Sequence, residues 1–168
     1  YPMVRQAREM FRSGEIGKLR VIQVEYAQDW LTLPIENDGQ KQAAWRTDPS
    51  KAGMGGSIGD IGSHAFNLAD FITGAKLEEL CADISSFVEG RKNDDNAHVL
   101  LRYENGAKGM LWSSQVAPGN ENALKIRIYG DKGGLEWEQE NPNYLRVDIF
   151  GKAKKIIRRA GNETTEMG

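Results

Sequence analysis

At 168 residues, the chain is long enough for a single domain to bury a core without disulfides or metal staples. Its 39% hydrophobic and 27% charged residues describe a globular protein, and 22 basic against 24 acidic side chains give no electrostatic footprint of a nucleic-acid or anionic-membrane partner. No apolar run approaches the roughly 20 residues that cross a bilayer, and the start lacks the layout of a secretion signal, so a cytoplasmic location is expected. The single cysteine, Cys81, can form no internal disulfide, which fits a reducing compartment, and the alternation around it predicts a buried small apolar residue. The chain opens Tyr1-Pro2-Met3 and runs straight into a helical pattern, as expected of a piece of something longer.

From Pro2 to Ser13, Met3, Val4, Ala7, Met10 and Phe11 recur at helical spacing, with Pro2 suited to a first turn and Gly14 and Gly17 to the stop. Leu19 to Gln28 alternates as a strand, with Val21, Gln23 and Glu25 facing one way and Ile22, Val24 and Tyr26 the other. Asp29 to Gly59 has little periodicity but holds Trp30, Trp45 and Arg46, and its length predicts a functional loop. Ile61 to Thr73, closed by Gly74, reads as a helix whose wide apolar face predicts burial on more than one side. Period-two strands follow at Leu80–Val88, Ala97–Tyr103, Lys108–Val116, Leu124–Tyr129, Leu135–Glu138 and Leu145–Phe150. The short turns between them, including Asn105-Gly106 and Pro118-Gly119, predict that successive strands pair as antiparallel hairpins. Residues 1–160 are thus expected to form one α+β domain, a mostly antiparallel sheet with helices on one face, and residues 161–168 a polar, frayed tail.

The segment Gly53–Gly74, GMGGSIGDIGSHAFNLADFITG, carries the chemistry. At about 100° per residue, a helix starting near Asp60 places Asp60, His64 and Asn67 within roughly 60° of one another. An Asp four residues before a His can orient the imidazole and favour its protonated form, which is acid–base equipment, although a helical His is also commonly a satisfied structural residue. A metal site is not expected, because zinc wants three or four protein ligands and His98 and Cys81 lie on separate strands. The glycines fit neither a dinucleotide fingerprint nor a phosphate loop, and Ser57 and Ser63 lack a nucleophile-elbow frame. Trp30 and Trp45 can stack on sugar C–H faces and Arg46 can reach hydroxyls, though a loop Trp also serves simply as an anchor. The Asp94-Asp95-Asn96 cluster reads as a turn before a strand.

The string GGSIGDIGSHAFNLADFITG resembles the signature of the glucose–fructose oxidoreductase / inositol dehydrogenase / rhizopine catabolism (Gfo/Idh/MocA) family, D-x-G-x-H-x-x-D. Asp60, Gly62 and His64 match, and Asn67 replaces the last Asp. YPMVRQAREMFRSGEIGKLRVIQVEY, WRTDP, DDNAHVLLRYENGAKGMLWSSQ and IYGDKGGLEW extend the resemblance along most of the chain. It implies the C-terminal, substrate-binding half of a two-domain enzyme whose N-terminal dinucleotide-binding Rossmann domain is missing from this chain. In such an enzyme the substrate lies over the nicotinamide of NAD or NADP, His64 is the general base and Asp60 holds a neighbouring hydroxyl. Asn67, Trp30, Trp45 and Arg46 are the candidate substrate-binding residues, and a family lysine from a Glu-Lys-Pro motif belongs to the nucleotide half. The implied substrate is a hydroxyl of a sugar, sugar derivative or cyclitol, and the implied partner a second copy docked on the open sheet face. The isolated chain is expected to be inactive. A non-catalytic sugar-binding or oligomerisation module on the same fold is the alternative.

Overall fold

The structure, a computed structural model, describes residues 1–161. The frayed tail expected over 161–168 lies, beyond Gly161, outside the described residues.

Helix α1 (Pro2–Arg12) buries Met3, Val4, Ala7 and Met10 along one stripe. The chain then reverses through Gly14 and Gly17, both with positive φ. Gly17 is required there, since a Cβ would stand 1.9 Å from Asp131 Oδ1, the atom that accepts a hydrogen bond from the Lys18 amide. Strand β1 (Leu19–Ala27) follows, and after a long excursion helix α4 (Ser63–Thr73) ends at Gly74, which is left-handed. The rest is sheet: β2 (Leu77–Ser85), β3 (Asn96–Tyr103), β4 (Lys108–Ser114), β5 (Ala123–Gly130), β6 (Gly133–Glu138), β7 (Tyr144–Ile149) and β8 (Lys155–Arg158). Strand β8 was not read from the sequence, because four residues carry too little alternation to register.

The eight strands form one sheet in the order β2-β3-β4-β1-β5-β6-β7-β8. The α+β architecture is as expected: every neighbouring pair is antiparallel except β1 with β4. The expectation that all successive strands pair fails between β4 and β5. β1 sits between them, parallel to β4 in the register Val24↔Leu111 and antiparallel to β5 in the register Val24↔Ile126. The Pro118-Gly119 turn therefore serves a connection that steps across β1 rather than a hairpin, and turn residues alone do not distinguish the two.

Helices α1 and α4 cover one face. Beneath them Ile22, Val24, Ile126, Ile128, Leu135, Trp137 and Leu145 form a continuous core with Met3, Ala65 and Ile72. The other face is open, with Leu100, Met110, Tyr129, Tyr144 and Ile156 exposed. Cys81 corrects the sequence reading: it is exposed. Its strand alternates as expected, Cys81 pairing with Leu100 and Ala82 with Val99, but β2 is the sheet edge and is exposed over nearly its whole length. Alternation reports which way a side chain points, not whether anything lies over it.

Candidate active site

The excursion between β1 and α4 is more ordered than its composition suggests. It contains a 3₁₀ turn (Ile35–Asp38), helix α2 (Lys41–Arg46) capped by the Gln40 side chain, and helix α3 (Pro49–Ala52) capped by Asp48. Hydrogen bonds from Ser50 and from Lys51 hold the Asp48 carboxyl down at about 2.

Arg91 anchors the excursion to the sheet. Its side chain is 1% exposed, and it donates to both carboxylate oxygens of Glu36, to the Leu31 and Leu33 carbonyl oxygens, and to Asp95 Oδ2 at 3.1 Å. Burial pushes the Glu36 carboxyl up, but the hydrogen bonds and charge of Arg91, with a backbone hydrogen bond, hold it below its ordinary 4.5. Since the folded value lies below the unfolded one, this stabilisation is fully present above pH 4.5 and is lost as pH falls through the depressed folded value. Thermal melts should show Glu36→Gln less stable than wild type at neutral pH, with the difference closing below pH 4.5. A difference that does not change with pH would contradict this reading.

The signature segment does not enter α4 as a regular helix. Ile58–Gly62 form a turn of π-helix, and only from Ser63 does the α-helical step begin. Tight packing surrounds the turn. A Cβ on Gly62 would lie 2.7 Å from Ile58 Cδ1 and 3.2 Å from Ser113 Oγ, and one on Gly56 would lie 1.9 Å from the Asp94 carbonyl oxygen. Gly56→Ala is therefore expected to destabilise the fold by about 1–3 kcal/mol or more through forced backbone shifts. A denaturant midpoint equal to wild type would show that the approach relaxes freely.

The wider π turn changes which candidates meet. Asp60 faces Arg46, whose Nε lies 3.1 Å from Asp60 Oδ2, and the buried Gln115, whose Nε2 donates to the same oxygen at 2.8 Å. The Asp60–His64 pairing expected from regular α-helical spacing is not formed: no contact of hydrogen-bond or ion-pair length joins them among the described residues. The α-helical angle does not carry through a π turn. Arg46 lies between two indoles, its guanidinium carbon 5.6 Å from the Trp45 ring centroid and 6.0 Å from that of Trp30. Trp30 in turn donates from Nε1 to Gln28 Oε1. Trp45, Arg46 and Asp60, with Gln115 and Gly55, Gly56 and Gly59, line a depression of about 300 Å³.

His64 and Asn67 open instead into a cleft of about 420 Å³ walled by Tyr1, Val4, Arg5, Tyr26, Phe71, Leu124 and Trp137. His64 stands edge-on to Tyr26, with ring centroids 6.3 Å apart, and makes no hydrogen bond among the described residues. Tyr26 is itself fixed by donating from its hydroxyl to Asn122 Oδ1. Sequence reasoning missed Gln115, Tyr26 and Arg91 as contributors. Gln115 falls in a stretch read only for its strand alternation and Arg91 in a charge run, and Tyr26 reads as core, which it largely is at 8% exposure.

A mostly antiparallel sheet, open on one face and covered by helices on the other, with a polar cluster at the start of α4, is an architecture that the chain shares with solved oxidoreductases. A crystal structure of an inositol dehydrogenase homolog from Azotobacter vinelandii, complexed with NAD+, superposes with a TM-score of 0.94 at 33% identity over 98% of this chain and 43% of that one. An oxidoreductase from Sinorhizobium meliloti is 53% identical, with a TM-score of 0.83 over 98% of this chain and 42% of that one. Among curated proteins, an uncharacterised oxidoreductase of Bacillus subtilis, YfiI, is 36% identical over 94% of this chain, and the myo-inositol 2-dehydrogenase of Thermotoga maritima is 36% identical over 78%. The chain spans 40% of the first of these and 36% of the second. Residues 4–136 match the GFO/IDH/MocA C-terminal domain, and the chain belongs to that family.

Proposed function

We propose that this chain is the substrate-binding and catalytic half of an NAD(P)-dependent oxidoreductase acting on a hydroxyl of a sugar, sugar derivative or cyclitol. The observation that carries the reading is the imidazole of His64, exposed on the cleft wall with no hydrogen bond among the described residues and Asn67 one helical turn away. A base must keep a lone pair free for an incoming proton, and a satisfied structural histidine does not.

NAD(P), when bound, supplies the hydride acceptor. The glycine run of this chain offers no pyrophosphate cradle, since Gly56 and Gly62 already stand against Asp94 and Ser113. Holding the dinucleotide therefore falls to a nucleotide-binding half of the parent, and residues 1–160 furnish the substrate side. His64 takes the hydroxyl proton, and the Asn67 amide both donates to and accepts from a neighbouring hydroxyl. Both partners of Asp60 sit on Oδ2, which leaves Oδ1 to accept from a further substrate hydroxyl. Trp30 and Trp45 provide flat faces for sugar C–H groups around Arg46. The relatives support the substrate class: one solved structure, 31% identical, holds NADH with myo-inositol, and a curated levoglucosan dehydrogenase is 26% identical over 87% of this chain.

The test is isotopic. The intact enzyme is supplied with neutral cyclitols and sugars deuterated at each hydroxyl-bearing carbon in turn, and deuterium is expected in the reduced nicotinamide from one position. No reduced cofactor from any substrate in the panel would refute the reading.

Homo-oligomerisation through the open sheet face belongs to the same reading, supported by the exposed Leu100, Met110, Tyr129, Tyr144 and Ile156. Light scattering should find a dimer or larger assembly that Met110→Arg dissociates, and a monomeric wild-type enzyme would contradict it. Among the described residues no helix is long and apolar enough to cross a membrane.

A further inference from the structure

The connection from β2 into β3 reads in sequence as a charged turn, RKNDDN, yet Asn93 is 2% exposed and Asp95 fully buried. From there the side chains of Asn93 and Asp94 and the backbone carbonyl of Asp95 reach three different segments, and all three converge on Asp60.

Asp94 takes the start of the π turn. Its Oδ1 accepts from the Gly56 amide at 2.6 Å, and its Oδ2 accepts from the Ser57 hydroxyl and the Ile58 amide, each at 2.8 Å. Its own carbonyl accepts from the Ser57 amide at 2.9 Å. Four hydrogen bonds thus fix three successive residues, Gly56 to Ile58, with Gly59 alone between them and Asp60. Asn93 holds the opposite side, its Nδ2 donating to the Arg46 carbonyl oxygen at 3.0 Å and to that of Gly53 at 3.3 Å. This pins the end of α2, from which Arg46 reaches Asp60. Asp95 sets the third arm: its carboxylate accepts from the Phe87 and Val88 amides and from Arg91, and its carbonyl accepts from the Gln115 amide at 2.8 Å. Gln115 then donates to Asp60.

We infer that Asn93, Asp94 and Asp95 are positioning residues that fix the Asp60–Arg46 pair relative to His64. The inference rests on the reading of His64 and Asp60 given above. A side-chain stabilisation of turns alone would need only one of these contacts. What distinguishes the cluster is that the backbone under Asp60, the backbone behind Arg46 and the backbone of Gln115 are each held from one tripeptide. Such shared support preorganises a site, because no arm can shift without straining the other two.

Asp94→Asn preserves shape but turns one acceptor into a donor that faces either the Gly56 amide or the Ser57 hydroxyl and Ile58 amide. In the intact enzyme, with myo-inositol and levoglucosan as the probe substrates, it is expected to lower kcat at least tenfold while NADH affinity, read by nicotinamide fluorescence, stays within twofold of wild type. Asn93→Asp, which sets a carboxylate against two carbonyl oxygens, is expected to raise KM more than it lowers kcat, because it loosens Arg46 and not the turn. Wild-type kinetics in a folded Asp94→Asn enzyme overturn the inference. Hydrogen exchange in the wild-type enzyme tests it without any variant: the Gly56 and Ile58 amides should be protected like those of the sheet, and exchange at exposed-loop rates overturns it equally. His64→Ala is measured in parallel. If that variant loses turnover and Asp94→Asn does not, the positioning role alone fails; if His64→Ala retains turnover, the catalytic reading beneath it fails.

Discussion

Replacing His64 with alanine in the intact enzyme is expected to lower kcat by about 10²–10⁴-fold, the range for loss of a positioned acid or base. The expectation follows from position. His64 lies on the first turn of α4, exposed beside Leu68 on the wall of the cleft, so its removal empties no core and breaks no hydrogen bond among the described residues. Stability should therefore be little changed, which separates a chemical defect from a folding one. Steady-state kinetics with a melting curve on the same sample check both parts. Turnover within a few-fold of wild type would make His64 a wall of the cleft and nothing more.

The largest stability effect is expected at Arg91. Its guanidinium is 1% exposed and Asp95 wholly buried, and it satisfies two carbonyl oxygens of the excursion besides its two carboxylates. Arg91→Ala would leave a buried carboxylate without its cation, for a loss of about 3–5 kcal/mol. That corresponds to a fall in Tm of roughly 6–20 °C for a chain of this size. The wild-type network is not thereby shown to be worth that much, since removing one partner measures mainly the stranded charge. A loss under about 1 kcal/mol, the scale of an exposed ion pair, would mean that water reaches Asp95 readily.

The architecture was legible wherever periodicity carries it. α1, β1 and the strands from β3 to β7 fall within a few residues of their expected places, because one face of each is buried and the alternation records it. Besides the short β8, three things were not legible. The insertion of β1 between β4 and β5 depends on which strands meet in space, and turn residues are silent on that. The exposure of Cys81 depends on its facing, with Leu100, the open side of the sheet at an edge strand, and alternation alone does not say which side is covered. The role of Arg91 was hidden because a buried arginine within RKNDDN looks, residue by residue, like a solvated charge run.

The candidate site divides in the same way. Asp60, His64 and Asn67 stood out by spacing, and Trp45 and Arg46 by their place in an otherwise unpatterned loop. The structure brings Arg46 and Asp60 into direct contact and sets His64 and Asn67 together in a second cleft. The π turn lies between these two groups, and the close approaches of Gly56 to Asp94 and of Gly62 to Ser113 around it are long-range facts that no local spacing contains.

The most direct test of the proposed function compares two polypeptides in one assay: the 168-residue chain alone and the intact enzyme that joins it to a nucleotide-binding half. Each is given NAD and NADP with a panel of cyclitols and neutral sugars, and reduced cofactor is followed by absorbance. Turnover by the intact enzyme and none by the chain alone is the expected result. Robust turnover by the chain alone, or sugar binding without any turnover by the intact enzyme, would contradict it.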